Sequence, residues 1–264
     1  MTALDLTMEK VGRENRAALI AYIPAGFPTL EGCKKIIDAF VRGGVDVIEI
    51  GFPYSDPVMD GPTIQEASVI ALKNGTGAAE VLEAVSYAAS KVPTVVMSYW
   101  NPIEKYGTES FAHALCAAGG SGAITPDLTI EEAAAWKSAT DKNSLNRIYV
   151  VAPSSTDERL KKVSDECSGF IYAASLMGVT GARSDISTSA GALVARLRKV
   201  SDKPIAVGLG VSTREQAREV AAFADGVIVG SAFVKEALNG DIDGAVEKIE
   251  KLAHDLSQGV REGR

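Results

Sequence analysis

The chain has 264 residues, 46% of them hydrophobic and 23% charged, a globular composition with material for a large core. Its net charge of −7, with no basic run, argues against nucleic acid and anionic membranes as partners. No basic-then-apolar leader opens it and no apolar run approaches the ~20 residues of a bilayer span, which predicts a soluble cytoplasmic protein.

The opening segment carries Leu4, Met8 and Val11 at helical spacing. Short β-rich runs follow at 18–23, 45–50, 94–99, 122–124, 147–152, 169–173, 204–207 and 226–229. Helix-period segments lie between them. Residues 30–41 place Ile36, Ile37 and Phe40 on one face, 78–90 form another helix, and 242–256 align Val246, Ile249 and Leu252. Thr129-Ile-Glu-Glu, Ser155-Thr-Asp-Glu and Ser212-Thr-Arg-Glu each read as a helix start, with a capping oxygen and early acids. Strand then helix, eight times over in this length, predicts one α/β domain across 1–264. It is a (βα)8 TIM barrel with an N-terminal extra helix that plugs its bottom. Cys33, Cys116 and Cys167 are far apart, make no metal or CxxC pattern and read as reduced thiols.

In such a barrel the reactive residues sit at the C-terminal ends of the strands. The second strand ends in Glu49, a carboxylate inside an apolar run, and the loop after it carries Asp60 before Gly61-Pro62. Alternation puts Val45, Val47 and Glu49 on one face, so valines pointing inward would carry Glu49 inward too. Burial would then raise its pKa, as a general acid/base at neutral pH requires. A lone strand glutamate fits an ion pair equally well, and Asp-Gly-Pro alone is ordinary turn chemistry. The two carboxylates together on the predicted active face favour catalysis.

Three glycine-rich turns follow the last three strands: Gly178-Val-Thr-Gly181, Gly208-Leu-Gly210-Val-Ser212 and Gly230-Ser231. Tight βα turns alone would use glycine. Three such turns in succession favour a phosphate monoester held by backbone amides. No Walker or Rossmann fingerprint is present. No lysine sits at a strand's C-terminal end, since Lys203 precedes its strand and Lys235 falls in a helix. His113 and His254 both lie in helical segments. The chemistry expected is therefore carboxylate acid/base catalysis without metal or organic cofactor, on a substrate that stabilises its own leaving carbon.

Glu49-Ile-Gly-Phe-Pro-Tyr-Ser-Asp-Pro and Asp60-Gly-Pro-Thr-Ile-Gln resemble the signature of the tryptophan synthase α subunit family. Ala21-Tyr-Ile-Pro-Ala-Gly-Phe-Pro, Tyr99-Trp-Asn-Pro-Ile, Pro126-Asp-Leu, Ala152-Pro-Ser-Ser-Thr-Asp, Gly178-Val-Thr-Gly and Gly230-Ser-Ala continue the resemblance in order along essentially the whole chain. It implies retro-aldol cleavage of indole-3-glycerol phosphate to indole and glyceraldehyde 3-phosphate. By the same resemblance Glu49 would move protons at indole C3 and the glycerol hydroxyl, and Asp60 would stabilise charge at the indole N–H. Tyr172 would line the site, Thr180 would engage Asp60 as a loop closes, and Gly181, Gly210, Gly230 and Ser231 would contact phosphate.

The resemblance also implies a partner, the β subunit of an αββα heterotetramer, met through 53–57 and the loop after Gly178. Pyridoxal phosphate would belong to that partner, leaving no cofactor here. Pro24 and Phe27 stand where many relatives carry Thr and Asp, Leu176-Met177 where many have an arginine-bearing segment, and Leu209 where many have an aromatic residue. The rival readings are a stand-alone lyase that releases free indole, a non-catalytic phosphate-binding barrel that activates β, and another phosphate-binding barrel such as an isomerase.

Overall fold

The computed structural model describes residues 1–174, 183–208, 210–238 and 241–264. The strands are β1 (Ala18–Pro24), β2 (Val47–Gly51), β3 (Thr94–Met97), β4 (Gly122–Ile124), β5 (Asn146–Ile148), β6 (Val150–Val151), β7 (Ile171–Ala174), β8 (Ile205–Gly208) and β9 (Gly226–Val229). The helices are α1 (Ala3–Arg13), α2 (Leu30–Arg42), α3 (Pro62–Lys73), α4 (Ala78–Ala89), α5 (Trp100–Tyr106) and α6 (Thr108–Ala117), followed by α7 (Ala134–Lys142), α8 (Asp157–Glu166), α9 (Arg183–Leu197), α10 (Arg214–Ala221), α11 (Ser231–Leu238) and α12 (Ile242–Glu262).

All strand pairs are parallel, in the order β5-β4-β3-β2-β1-β9-β8-β7-β6. β5 and β6 are the fifth expected strand, divided at Tyr149. β5 pairs with β4 and β6 pairs with β7, so the two ends of the ladder are neighbours in the chain. The Thr125 N–H to Ile148 C=O bond and the Tyr172 N–H to Tyr149 C=O bond, each 3.2 Å, lie on either side of this seam. The sheet is thereby a closed (βα)8 barrel, as expected.

Period-two alternation divides the strand residues between two cores. Ile20, Val47, Val95, Ile124, Ile148, Phe170, Ala206 and Ile228 fill the barrel interior with Leu4, Met8 and Val11 of α1. α1 therefore plugs one end, as its spacing predicts. Leu19, Ala21, Ile48, Ile50, Val96 and Val207 face outward to the helix layer. Val45 also packs outward, against the expectation that it shares a face with Val47 and Glu49. The reason is local: its N–H still bonds the Phe40 C=O at the end of α2 (3.1 Å), and strand alternation begins only at Val47.

Helix starts follow their capping chemistry, with shifts. Thr156 Oγ accepts the Arg159 N–H at α8, and Thr213 Oγ accepts the Gln216 N–H at α10. The caps are thus the threonines rather than Ser155 or Ser212. Thr129-Ile-Glu-Glu does not start a helix. It closes a turn in which the Glu132 N–H bonds the Thr129 C=O (3.1 Å), and α7 begins at Ala134.

At the plugged end the buried carboxylates are paired. Arg16 grips Asp46 with two hydrogen bonds of 2.8 Å, and Asp46 also accepts the Leu19 N–H at 2.9 Å. Asp225 accepts the Ile205 N–H at 2.8 Å and the guanidiniums of Arg198 and Arg264. Lys203, at this end as its position before β8 requires, donates to the carbonyls of Ser164 (2.6 Å), Asp165 (3.1 Å) and Cys167 (2.5 Å) where α8 ends. His113 and His254 are exposed on helices α6 and α12. No helix among the described residues is long and apolar enough to cross a membrane.

Candidate active site

β2 carries Glu49 to the open end of the barrel. Its register neighbours are Tyr22 on β1 and Val95 on β3, the latter an interior residue, so the three side chains share the inward face. Glu49 is 2% exposed. Its Oε2 is buried without a hydrogen-bond partner. Burial, reinforced by the nearby Asp60 charge, pushes the carboxyl up to about 8. A group placed this way holds its proton at neutral pH and can both give and retake it. Among the described residues no cation meets the Glu49 carboxylate, which argues against the ion-pair reading.

Asp60 ends the loop that leaves β2 and directly precedes Gly61, which caps α3, with Pro62 in the first turn. Gln65 of α3 donates its side-chain amide to the Asp60 C=O at 2.8 Å, tying the loop end to the helix. The carboxyl is half-buried. Burial raises its pKa, and a hydrogen bond from the Tyr99 hydroxyl opposes that rise. Two carboxyls of unlike setting thus face one space, one fully buried and protonated, the other partly open and hydrogen-bonded.

Three tyrosines complete the wall. Tyr22 and Tyr172 both have phenols held well above their ordinary range, by burial first and then by the Glu49 and Asp60 charges. Their rings lie where side chains are missing from the strand ends. A Cβ at Gly51 would stand 2.3 Å from the Tyr22 hydroxyl, and one at Gly208 would stand 2.6 Å from that of Tyr172. Any residue but glycine there would displace the rings. Tyr99, 2% exposed, comes from the segment after β3. Sequence reasoning included Tyr172 only through resemblance and left out Tyr22 and Tyr99 as site residues. Inward alternation along Ala18, Ile20 and Tyr22 carries the signal for Tyr22; nothing in the local pattern marks Tyr99.

Gly230 and Ser231 sit where β9 passes into α11. The first amide of that turn to find a helical acceptor is Val234, bonded to the Gly230 C=O at 3.1 Å. The N–H groups of a helix's first turn have no acceptor within the helix itself, a setting suited to an anion. Gly210 has φ +69°, a left-handed conformation that favours glycine. Thr180 and Gly181, with Leu176, Met177 and Leu209, lie outside the described residues. Among the described residues no three His, Cys, Asp or Glu side chains gather in a way that could hold a metal.

A closed parallel barrel with two buried or half-buried carboxyls at its C-terminal mouth has the architecture of a (βα)8-barrel enzyme. Comparison with known proteins gives the family. Residues 8–261 match the tryptophan synthase alpha chain family. A tryptophan synthase alpha chain from Streptomyces coelicolor is 52% identical over 98% of this chain and 96% of its own length. One from Acidothermus cellulolyticus is also 52% identical, over 99% and 98%. A solved chain of M. tuberculosis tryptophan synthase superposes with a TM-score of 0.92 at 46% identity, covering 98% of both chains. The chain belongs to the tryptophan synthase alpha chain family. It is a lyase of tryptophan biosynthesis, cleaving indole-3-glycerol phosphate to indole and glyceraldehyde 3-phosphate.

Proposed function

We propose that Glu49 is the general acid/base of this cleavage and Asp60 its charge-stabilising partner. The observation that carries the reading is the buried, unpartnered Glu49 carboxyl, held up at about 8, opposite Asp60. In its acid form Glu49 protonates indole C3. The ring nitrogen then bears positive charge, which the Asp60 carboxylate stabilises through the N–H. Glu49, now a carboxylate, takes the proton of the glycerol hydroxyl on the adjoining carbon. The O–H electron pair becomes the new C=O bond. The electrons of the breaking C–C bond return to the indole ring and neutralise the nitrogen. One proton has moved from oxygen to carbon, and Glu49 ends as it began.

Tyr172 forms a wall of the indole site in this reading. Gly210, Gly230 and Ser231 hold the phosphate with Gly181, and Thr180 meets Asp60. The helix start at Ser231 and the left-handed Gly210 support the phosphate assignment. The whole chain, 1–264, acts as one domain in the cytoplasm, alongside a tryptophan synthase β subunit in an αββα assembly. The solved M. tuberculosis relatives are described as tryptophan synthase, including an aminoacrylate-bound form. The loop before Asp60 supports the partner surface, since Val58 is 77% exposed and Met59 39%. Within 53–57, Ser55 and Asp56 are exposed but Pro53 is buried, so the apolar contact area centres on Val58 and Met59.

The test is indole release from indole-3-glycerol phosphate by the wild-type chain and by Glu49→Gln, each alone and with the cognate β subunit. Slow release alone, strong acceleration by β and abolition by Glu49→Gln are expected. Fast release without β would point to the stand-alone lyase, and undiminished cleavage by Glu49→Gln would remove the catalytic assignment.

A further inference from the structure

Tyr99 joins two parts of the mouth. Its backbone is fixed on the β3–β4 side. The Ser98 N–H bonds the Ile124 C=O at 3.0 Å, the Ser98 hydroxyl donates to the Tyr99 C=O at 2.8 Å, and the Trp100 N–H bonds Asp127 Oδ1 at 2.9 Å. Its phenol reaches the other way, to the loop after β2. The hydroxyl oxygen accepts the Met59 N–H at 3.0 Å and hydrogen-bonds the Asp60 carboxylate. The Tyr54 ring of the same loop packs on Tyr99, with centroids 5.4 Å apart. One phenol oxygen thus meets consecutive residues of the loop, the Met59 amide and the Asp60 carboxyl.

We propose that Tyr99 is a positioning residue for the cleavage, holding the Asp60 carboxylate at the substrate's ring nitrogen through its phenol and fixing the loop through Met59. The inference rests on the reading of Asp60 as the charge-stabilising group. Burial keeps the phenol up at about 12, so it stays a donor throughout the working pH range. Among the described residues the groups facing Asp60 are Glu49 from β2, Tyr22 from β1, Tyr172 from β7 and Tyr99 itself. Of these, Tyr99 is the one that lowers the Asp60 pKa, by its hydrogen bond.

Tyr99→Phe removes the hydroxyl and keeps the ring. We expect kcat to fall about tenfold, the scale of one hydrogen bond to a charged group, with KM little changed. The acidic limb of the kcat–pH profile should move to higher pH, because Asp60 loses the bond that favours its ionised form. Asp60→Asn and the double variant complete a cycle, assayed with the full chain and its cognate β subunit. If Tyr99→Phe costs nothing further in the Asp60→Asn background, the phenol acts through Asp60. If the two losses multiply, or the Tyr99→Phe limb does not move, the proposal fails while the reading of Asp60 stands. Full activity of Asp60→Asn would overturn both. Should Tyr99→Phe fail to fold, ring-fluorinated tyrosine at position 99, a stronger donor, is the second probe. A shift of the acidic limb to lower pH supports the proposal, and an unmoved limb overturns it.

Discussion

The two ends of this barrel treat their buried carboxylates in opposite ways. At the plugged end Arg16 and Asp46, with side chains 7% and 12% exposed, satisfy one another in a two-pronged pair. Asn146, the first residue of β5, links that strand to Thr2 and Asp5 of α1 there. At the mouth Glu49 is as deeply buried and has a free oxygen, and Asp60 depends on Tyr99. The same strands run through both ends, so the fold itself does not force either outcome. A completed pair is spent on holding the structure, while an uncompleted one leaves a proton available to a substrate.

The sharpest way to break this contrast is Glu49→Gln. It should lower the cleavage rate by about a thousandfold, within the range for loss of a general acid/base, measured by indole release. Activity of the wild type should also decline above about pH 8 as Glu49 loses its proton. At the other end Arg16→Ala leaves Asp46 buried without its cation. It should cost about 3 kcal/mol of stability in urea unfolding, with kcat of the folded fraction unchanged. Asp60→Asn should lower cleavage about a hundredfold and leave the fold intact, a result to be read from kcat beside a circular-dichroism melt.

A smaller effect links the mouth to stability. Folded Glu49 keeps its proton up to about 8, whereas in the unfolded chain it ionises near 4.5. Through that window the unfolded state gives up a proton that the folded state retains, so stability falls as pH rises. Glu49→Gln cannot ionise and escapes this loss. Its melting temperature should match the wild type below pH 4.5 and exceed it by several degrees above pH 8. Smallest of all, Lys161→Ala breaks a surface pair with Asp165 and should leave the melt unchanged, since both side chains are more than half exposed.

Much of the barrel is legible in the sequence because alternation and helical spacing report which face is buried. The plug of Leu4, Met8 and Val11 and the inward turn of Glu49 both follow from period alone. What period cannot report is where an element's pattern begins. Val45 looks like the start of a strand but completes a helix end, and Thr129 looks like a cap but accepts the Glu132 N–H in a turn, five residues before α7 begins at Ala134. The division of the fifth strand at Tyr149 depends on which neighbour each half pairs with, a long-range matter. In the site, Glu49 and Asp60 are visible as carboxylates in unusual company. Tyr99 is not, because its place depends on a loop 40 residues earlier folding back onto its hydroxyl.

That division at Tyr149 has a consequence for the chain as a material. The two terminal strands of the ladder are adjacent in sequence, so closing the ring leaves neither with a long unpaired border. A chain cut at Tyr149 and rejoined elsewhere would turn the same residues into two open sheet edges, with bare amides and carbonyls that invite other copies to pair. Closing the ring across this seam removes the free sheet edges to which other copies could pair.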